Sequence, residues 1–162
     1  MKYCEATTIN HPLSSKYPAQ VEPINTIFTN EGFELEIFEK EKAINLDKIE
    51  IELCRGKCSL QPTMDFAIGL SKKGKNSQML LVELKLNVNI PSNIARKEID
   101  NKIKHSIEVL SHVPQIHFEK YVLFRKNQIA VAKSYMARLY GKSPKFAIIV
   151  KSPEEFKYDF FT

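Results

Sequence analysis

The stretch Met64–Leu86, MDFAIGLSKKGKNSQMLLVELKL, decides the fold. It holds two apolar runs separated by Ser71–Gln78, a polar linker with Gly74 near its middle. That composition suits a β-hairpin loop, where glycine readily adopts the positive φ of a tight reversal, rather than a crossover between parallel strands. Folding the runs symmetrically about Gly74 sets Asp65 opposite Glu83, each nine residues from the glycine. Side chains alternate along a strand, so Asp65, Ala67 and Gly69 share one face and Phe66, Ile68 and Leu70 the other. On the second run Leu81, Glu83 and Lys85 oppose Val82, Leu84 and Leu86.

Two carboxylates facing each other across a sheet, roughly 5 Å apart at Cβ, repel and destabilise it. A divalent cation held between their oxygens removes that cost. A hard ion such as Mg²⁺ or Mn²⁺ takes oxygen ligands and keeps several waters, so Asp65, Glu83 and the Leu84 carbonyl are a sufficient set. Lys85 then stands beside the metal-bound water, placed to orient or deprotonate it or to stabilise charge on a phosphate. The plainer reading of the same residues is a charged pair on a solvated sheet face.

An aspartate opening one strand and Glu-x-Lys on the next, in a short α/β chain, resembles the PD-(D/E)xK nuclease superfamily. Asp65, Glu83 and Lys85 carry the resemblance, with Pro62 three positions before the aspartate instead of beside it. What the resemblance implies is a restriction-endonuclease-like core, a mixed central β-sheet flanked by helices. It also implies a Mg²⁺- or Mn²⁺-dependent phosphodiesterase acting on DNA, with Asp65, Glu83 and Lys85 catalytic. Two further contributions follow from it: an acidic ligand on the first helix, for which Glu22 is the candidate, and a polar group from the helix after the hairpin. No glutamine occurs at the expected distance there, and Lys97 and Asn101 are the substitutes.

The chain has 162 residues, 43% hydrophobic and 27% charged, which fits one soluble domain: a poorly defined segment over residues 1–32 and a core over residues 33–162. No apolar run reaches the roughly 20 residues of a membrane span and the N-terminus lacks a hydrophobic signal core, so a cytoplasmic location is expected. Three cysteines, an odd number, fit a reducing compartment without a disulfide framework. The net charge of +5 is unevenly spread. Residues 31–52 hold eight acids against Lys40, Lys42 and Lys48, and the rest of the chain is strongly basic. That asymmetry suits either a face turned toward a polyanion or charge that confers solubility. Arg55, Lys57, Lys72, Lys73 and Lys75, in the turns at the ends of the hairpin, and Lys104 are the candidate phosphate contacts.

Along the chain, Glu22–Thr29 has room for two helical turns with Pro23 in the first. Phe33–Phe38 and Lys48–Cys54 alternate apolar and acidic residues as half-buried strands do, although residues 36–46 also show some helical spacing. Cys54 and Cys58 lack the second pair a tetrahedral zinc site needs. A helix is expected from Pro91–Asn93 to about His112, capped by Ser92 or Asn93, with Ile99, Ile103, Ile107 and Leu110 as its buried stripe and the intrahelical pairs Glu98–Lys102 and Asp100–Lys104. Strand Glu119–Arg125, a helix from Asn127 to Tyr140 ended by Gly141, strand Lys145–Val150 and an aromatic tail complete an α/β pattern. His105, His112 and His117 have no partner pattern that would make a site.

Three functions are in view. The first is a metal-dependent nuclease acting on DNA, with a homodimer or a partner protein supplying recognition surface that so small a chain lacks. The second is a catalytically inert protein of the same fold, an immunity-like or assembly factor whose interface is the acidic segment 31–52. The third is a basic nucleic-acid-binding module without a metal.

Overall fold

The computed structural model describes residues 1–162. In chain order it contains β1 (Lys2–Tyr3), α1 (Glu5–Ile9), α2 (Pro12–Lys16), β2 (Val21–Pro23), α3 (Ile24–Asn30), β3 (Lys42–Asn45), α4 (Leu46–Cys54), β4 (Phe66–Lys72) and β5 (Lys75–Leu84). The second half adds α5 (Arg96–Val109), β6 (Gln115–Ile116), β7 (Glu119–Leu123), α6 (Ile129–Tyr140), β8 (Ala147–Lys151) and α7 (Pro153–Phe161). One mixed sheet runs β2-β3-β4-β5-β7-β8, with β1 added to β4 and β6 to β5. The pairings from β2 to β5 are antiparallel, and those of β5 with β7 and β7 with β8 are parallel. Strand β5 is therefore the seam between the two halves.

The hairpin pairs Phe66 with Val82, Ala67 with Leu81, Ile68 with Leu80 and Gly69 with Met79, the register expected from symmetry about Gly74. The reversal is tighter than the polar linker suggests. The strands run to Lys72 and from Lys75, a bulge near Ser71 absorbs the irregularity, and Gly74 takes φ +75°.

Alternation along β4 and β5 divides the interior. Phe66, Ile68, Leu70, Leu80, Val82 and Leu84 pack with Ile24, Ile27 and Phe28 of α3 and Phe156 and Phe160 of α7. Ala67, Met79 and Leu81 face Ile49 of α4, Ile99 and Ile103 of α5, and Ala132 and Met136 of α6. Each face of the sheet is thus roofed by helices, as parallel pairing requires. Residue 69 must be small: a Cβ there would lie 2.5 Å from Thr7 Cβ, because α1 crosses directly over β4. The tail folds back as α7, started by a capping box in which Ser152 and Glu155 hold each other's backbone amides. No helix is long and apolar enough to cross a membrane.

Several local expectations fail for identifiable reasons. Residues 33–38 form no strand, since the Asn25 side chain satisfies both the N–H (3.1 Å) and the C=O (2.5 Å) of Phe38. Residues 46–54 are helical. Asn45 Oδ1 caps the Lys48 amide at 3.1 Å and Asp47 lies in the first turn, which outweighs the alternating pattern and leaves Ile51 53% and Leu53 41% exposed. The helix considered over residues 36–46 does not form either, as Lys42–Asn45 is strand β3 and Leu46 opens α4. The α3 helix starts at Ile24, so Glu22 lies on β2. Helix α5 begins at Arg96 after a 3₁₀ turn over Pro91–Asn93, with Ala95 in place of Ser92 or Asn93 at its cap, and ends before His112. The helix expected from Asn127 likewise starts at Ile129 after a 3₁₀ turn, and Gly141 ends it in a right-handed conformation. Cys54 and Cys58 are joined by a disulfide, contrary to the expectation of free thiols, which removes the cysteine argument for a reducing compartment.

Candidate metal and phosphate site

The site lies at the end of the hairpin opposite its turn. Asp65 immediately precedes Phe66, the first residue of β4, and Glu83 follows Val82 on β5, so both lie just past the Phe66–Val82 rung. Both are buried, Asp65 to 5% and Glu83 to 1% exposure. The Leu84 amide donates to Asp65 Oδ2 at 2.5 Å, and the Leu46 amide donates to the Asp65 backbone carbonyl at 3.1 Å. Asp65 is thereby fixed to β5 on one side and to the start of α4 on the other. Burial pushes its pKa well above the ordinary carboxylate value and the Glu83 charge pushes the same way, while Lys102 and the Leu84 amide act against them.

Glu83 is held by two lysines. Its Oε1 accepts from Lys102 Nζ at 2.6 Å and from Lys85 Nζ at 3.0 Å, while its buried Oε2 has no hydrogen-bond partner. Burial is the largest single effect on both lysines and lowers them, but Glu83, joined by Glu98 at Lys85 and by Asp65 at Lys102, raises both above the ordinary lysine value. Lys85 also donates to Glu98 Oε1 at 2.7 Å, which lowers the pKa of that glutamate. The expected pair Glu98–Lys102 is thus replaced by contacts from both residues to the hairpin. Asp100, expected on Lys104, meets Arg96 at 3.5 Å and accepts from the Tyr140 hydroxyl at 2.9 Å.

Two further acids come from the acidic segment. Glu31 ends α3 and Asp47 lies in the first turn of α4; one carboxylate oxygen from each and one from Asp65 lie within 4.8 Å of one another. Glu31 and Asp47 are exposed residues, but partial burial of the Glu31 carboxyl, with Asp47 and Glu83 nearby, raises its pKa. Asp47 is positioned by Thr63, whose hydroxyl donates to its Oδ1 at 2.5 Å. That contact is one of a series joining α4 to the returning chain, the others being the Gln61 amide on Glu50 Oε1 at 3.0 Å and the Cys54–Cys58 bridge.

Chemically, this is a donor set of hard oxygens crowded enough to hold like charges together. The trio Glu31, Asp47 and Asp65 fits a divalent cation with oxygen preference, while Glu83, held by two lysines through Oε1 and with Oε2 partnerless, lies outside that trio. Sequence reasoning placed Asp65, Glu83 and Lys85 together and missed Glu31, Asp47 and Lys102. The excess of acids over residues 31–52 was the signal for the first two. Lys102 was legible only as a helix position one turn beyond Glu98.

The other candidates are elsewhere. Glu22, on β2, accepts from Asn45 Nδ2 at 2.7 Å and Lys48 Nζ at 2.5 Å and is not among the three acids that cluster at Asp65. Lys97 and Asn101 sit on the exposed side of α5, where helix phase gives the inward place to Lys102. Leu84 contributes its amide to the site while its side chain packs in the α3 and α7 core. Lys72, Lys73 and Lys75 surround the hairpin turn, about 25 Å from Asp65 at the rise of a strand. Arg55 pairs with Glu52 beyond α4, and Lys57 lies in the loop closed by the disulfide. Lys104 is on the exposed side of α5, next to His105, whose Nε2 lies 2.7 Å from Glu50 Oε2. His105 thus has a carboxylate partner that spacing alone did not reveal. Comparison with protein-family models, with curated proteins and with solved structures finds no match.

Proposed function

We propose that this chain is a metal-dependent phosphodiesterase acting on nucleic acid, DNA in the first instance. The observation that carries the reading is the burial of Asp65 and Glu83 one residue beyond the Phe66–Val82 rung, each acting on the other's charge, with Glu83 Oε2 unpartnered and two lysines on Glu83 Oε1. Asp65 and Glu83, with Glu31 and Asp47 from the side, would hold Mg²⁺ or Mn²⁺. Such an ion, when bound, lowers the pKa of its water and neutralises charge on a phosphate. Lys85 adds a positive charge at the rim of the site, shared between Glu83 and Glu98, where an attacking water or a non-bridging phosphate oxygen would be oriented. Lys102 fixes the Glu83 carboxylate from α5 and leaves Oε2 free. The small surface favours a homodimer or a partner protein that contributes to substrate recognition.

A second reading is an inert protein of this architecture that binds another protein through its acidic segment. It is favoured by the internal neutralisation of Glu83, which both lysines already occupy. One experiment separates the two: supercoiled plasmid and single-stranded DNA incubated with Mg²⁺ or Mn²⁺ and with wild-type, Asp65→Ala or Lys85→Ala protein. Metal-dependent cleavage lost in both variants is expected. Activity that survives either substitution excludes the mechanism, and absence of divalent-ion binding by calorimetry favours the inert protein.

A further inference from the structure

Helix α4 ends at Cys54, and the turn after it brings a second sulfur back onto the helix end. Arg55 and Gly56 take positive φ, 35° and 74°, and the Lys57 amide donates to the Cys54 carbonyl at 2.7 Å. That reversal sets the Cα atoms of Cys54 and Cys58 5.2 Å apart, bridged across Arg55, Gly56 and Lys57. The two sulfurs have different surroundings. Cys58 is an exposed residue with the exposed Lys57 next to it in the chain. Cys54 is 3% exposed, and its Sγ lies 3.5 Å from Oε1 of Glu50, one helical turn earlier. Glu50 is itself buried and is oriented by the Gln61 amide at Oε1 and by His105 Nε2 at Oε2. A disulfide sulfur carries no proton, so this carboxylate acts on Cys54 only when the bridge is open.

We propose that Cys54 and Cys58 form a thiol–disulfide exchange centre, separate from the carboxylate site, which small-molecule disulfides and dithiols enter at Cys58. In the oxidising direction the Cys58 thiolate, favoured by the neighbouring Lys57 cation, attacks one sulfur of an external disulfide. The external S–S bond breaks, one thiolate leaves with the electron pair, and a mixed disulfide remains on Cys58. Cys54 Sγ then attacks Cys58 Sγ while Glu50 Oε1 takes the Cys54 thiol proton, and the second external thiolate leaves. Two electrons pass from the protein dithiol to the external disulfide, which ends as two thiols. Opening by an external dithiol is the same path reversed: the dithiol attacks Cys58, Cys54 departs and recovers its proton from Glu50, and the dithiol closes to a disulfide.

The test is stopped-flow reaction of the full chain, reduced in its folded state with dithiothreitol and desalted, with dithiobis-nitrobenzoate. Every protein carries Cys4→Ser, which removes the third thiol. The chain with both Cys54 and Cys58 is expected to release two equivalents of thionitrobenzoate in two phases, the first from attack by Cys58 and the second from closure of the bridge. Cys54→Ser should keep the first phase and stop at one equivalent, and Cys58→Ser should react only slowly, through buried Cys54. Glu50→Gln should leave the first phase unchanged and slow the second about tenfold or more. Circular dichroism and the first phase check that each variant is folded, and Glu50→Asp, which keeps a carboxylate on the same face of α4, is the second probe of the base. A bridge that dithiothreitol opens only in denaturant, a missing second equivalent, or Cys58→Ser reacting as fast as Cys54→Ser overturns the exchange centre. A second phase that is unchanged in Glu50→Gln, or no faster in Glu50→Asp than in Glu50→Gln, overturns the role of Glu50.

Discussion

Lys102 Nζ lies 2.6 Å from Glu83 Oε1, joining the middle of α5 to the seam strand of the sheet. The glutamate is 1% and the lysine 18% exposed at the side chain, so the pair is screened far less than a surface ion pair. Truncating the lysine leaves the buried carboxylate, beside Asp65, with Lys85 as its one remaining partner. Lys102→Ala is expected to cost about 3 kcal/mol in urea denaturation. Adding Glu83→Gln should recover most of that loss, because the charge that needed a partner is gone. A double variant no more stable than Lys102→Ala alone would show that packing, not charge, is what Lys102 supplies.

Metal should stabilise the protein and expose the cost of the carboxylates. Titration with Mn²⁺ is expected to raise the melting temperature, as for any ligand that prefers the folded state. Asp65→Asn should abolish that shift while raising the melting temperature in EDTA, since an amide faces Glu83 without repulsion. Equal metal-induced shifts in wild type and variant would remove Asp65 from the donor set.

Lys120 offers a pH signature set by burial, with no carboxylate contributing to it. It is 3% exposed, donates to the carbonyls of His117 and Phe118, and burial lowers its pKa from 10.5 to about 8. The unfolded chain therefore binds more protons than the folded one between those values, and stability rises with pH from about 8 toward 10.5, by an amount on the order of 3 kcal/mol. Urea midpoints at pH 7.5 and 10 should show this rise in wild type and a flatter profile in Lys120→Met.

The bridge between Cys54 and Cys58 closes a short loop, so reduction is expected to cost about 2 kcal/mol on the chain-entropy model. Denaturation with and without a thiol reductant measures it. Cys58→Ser should reproduce the reduced value and be insensitive to reductant. A reductant effect that persists in Cys58→Ser would place its origin elsewhere in the chain.

The hairpin was legible because one glycine in a polar linker fixes the symmetry and alternation fixes the faces; Phe66 opposite Val82 follows directly. Helix α4 was not, because Ile49, Ile51 and Leu53 alternate as a strand would, and only the Asn45 cap and Asp47 argued otherwise. Glu31 and Asp47 reach Asp65 from separate segments, a convergence that depends on how α3 and α4 pack and that no local pattern encodes. Helix phase decided Lys102 over Lys97 and Asn101, and that phase goes with a start at Arg96, four and three residues past the cap candidates Ser92 and Asn93.

Strand β5 joins its neighbours across very different chain distances. Its rungs with β4 close over a hairpin, whereas Val82 meets Tyr121 only after α5 and β6 have been traversed. Contacts close in sequence form before distant ones. By that reasoning the hairpin is expected to bring Asp65 and Glu83 near each other before α5 can deliver Lys102, so the end of the ladder beyond Phe66–Val82 lacks its counter-charge until that helix docks. Docking of α5 is thus a step that completes the sheet as well as a layer that covers it, and a fragment ending at Leu86 would pair at its turn and fray at its acidic end.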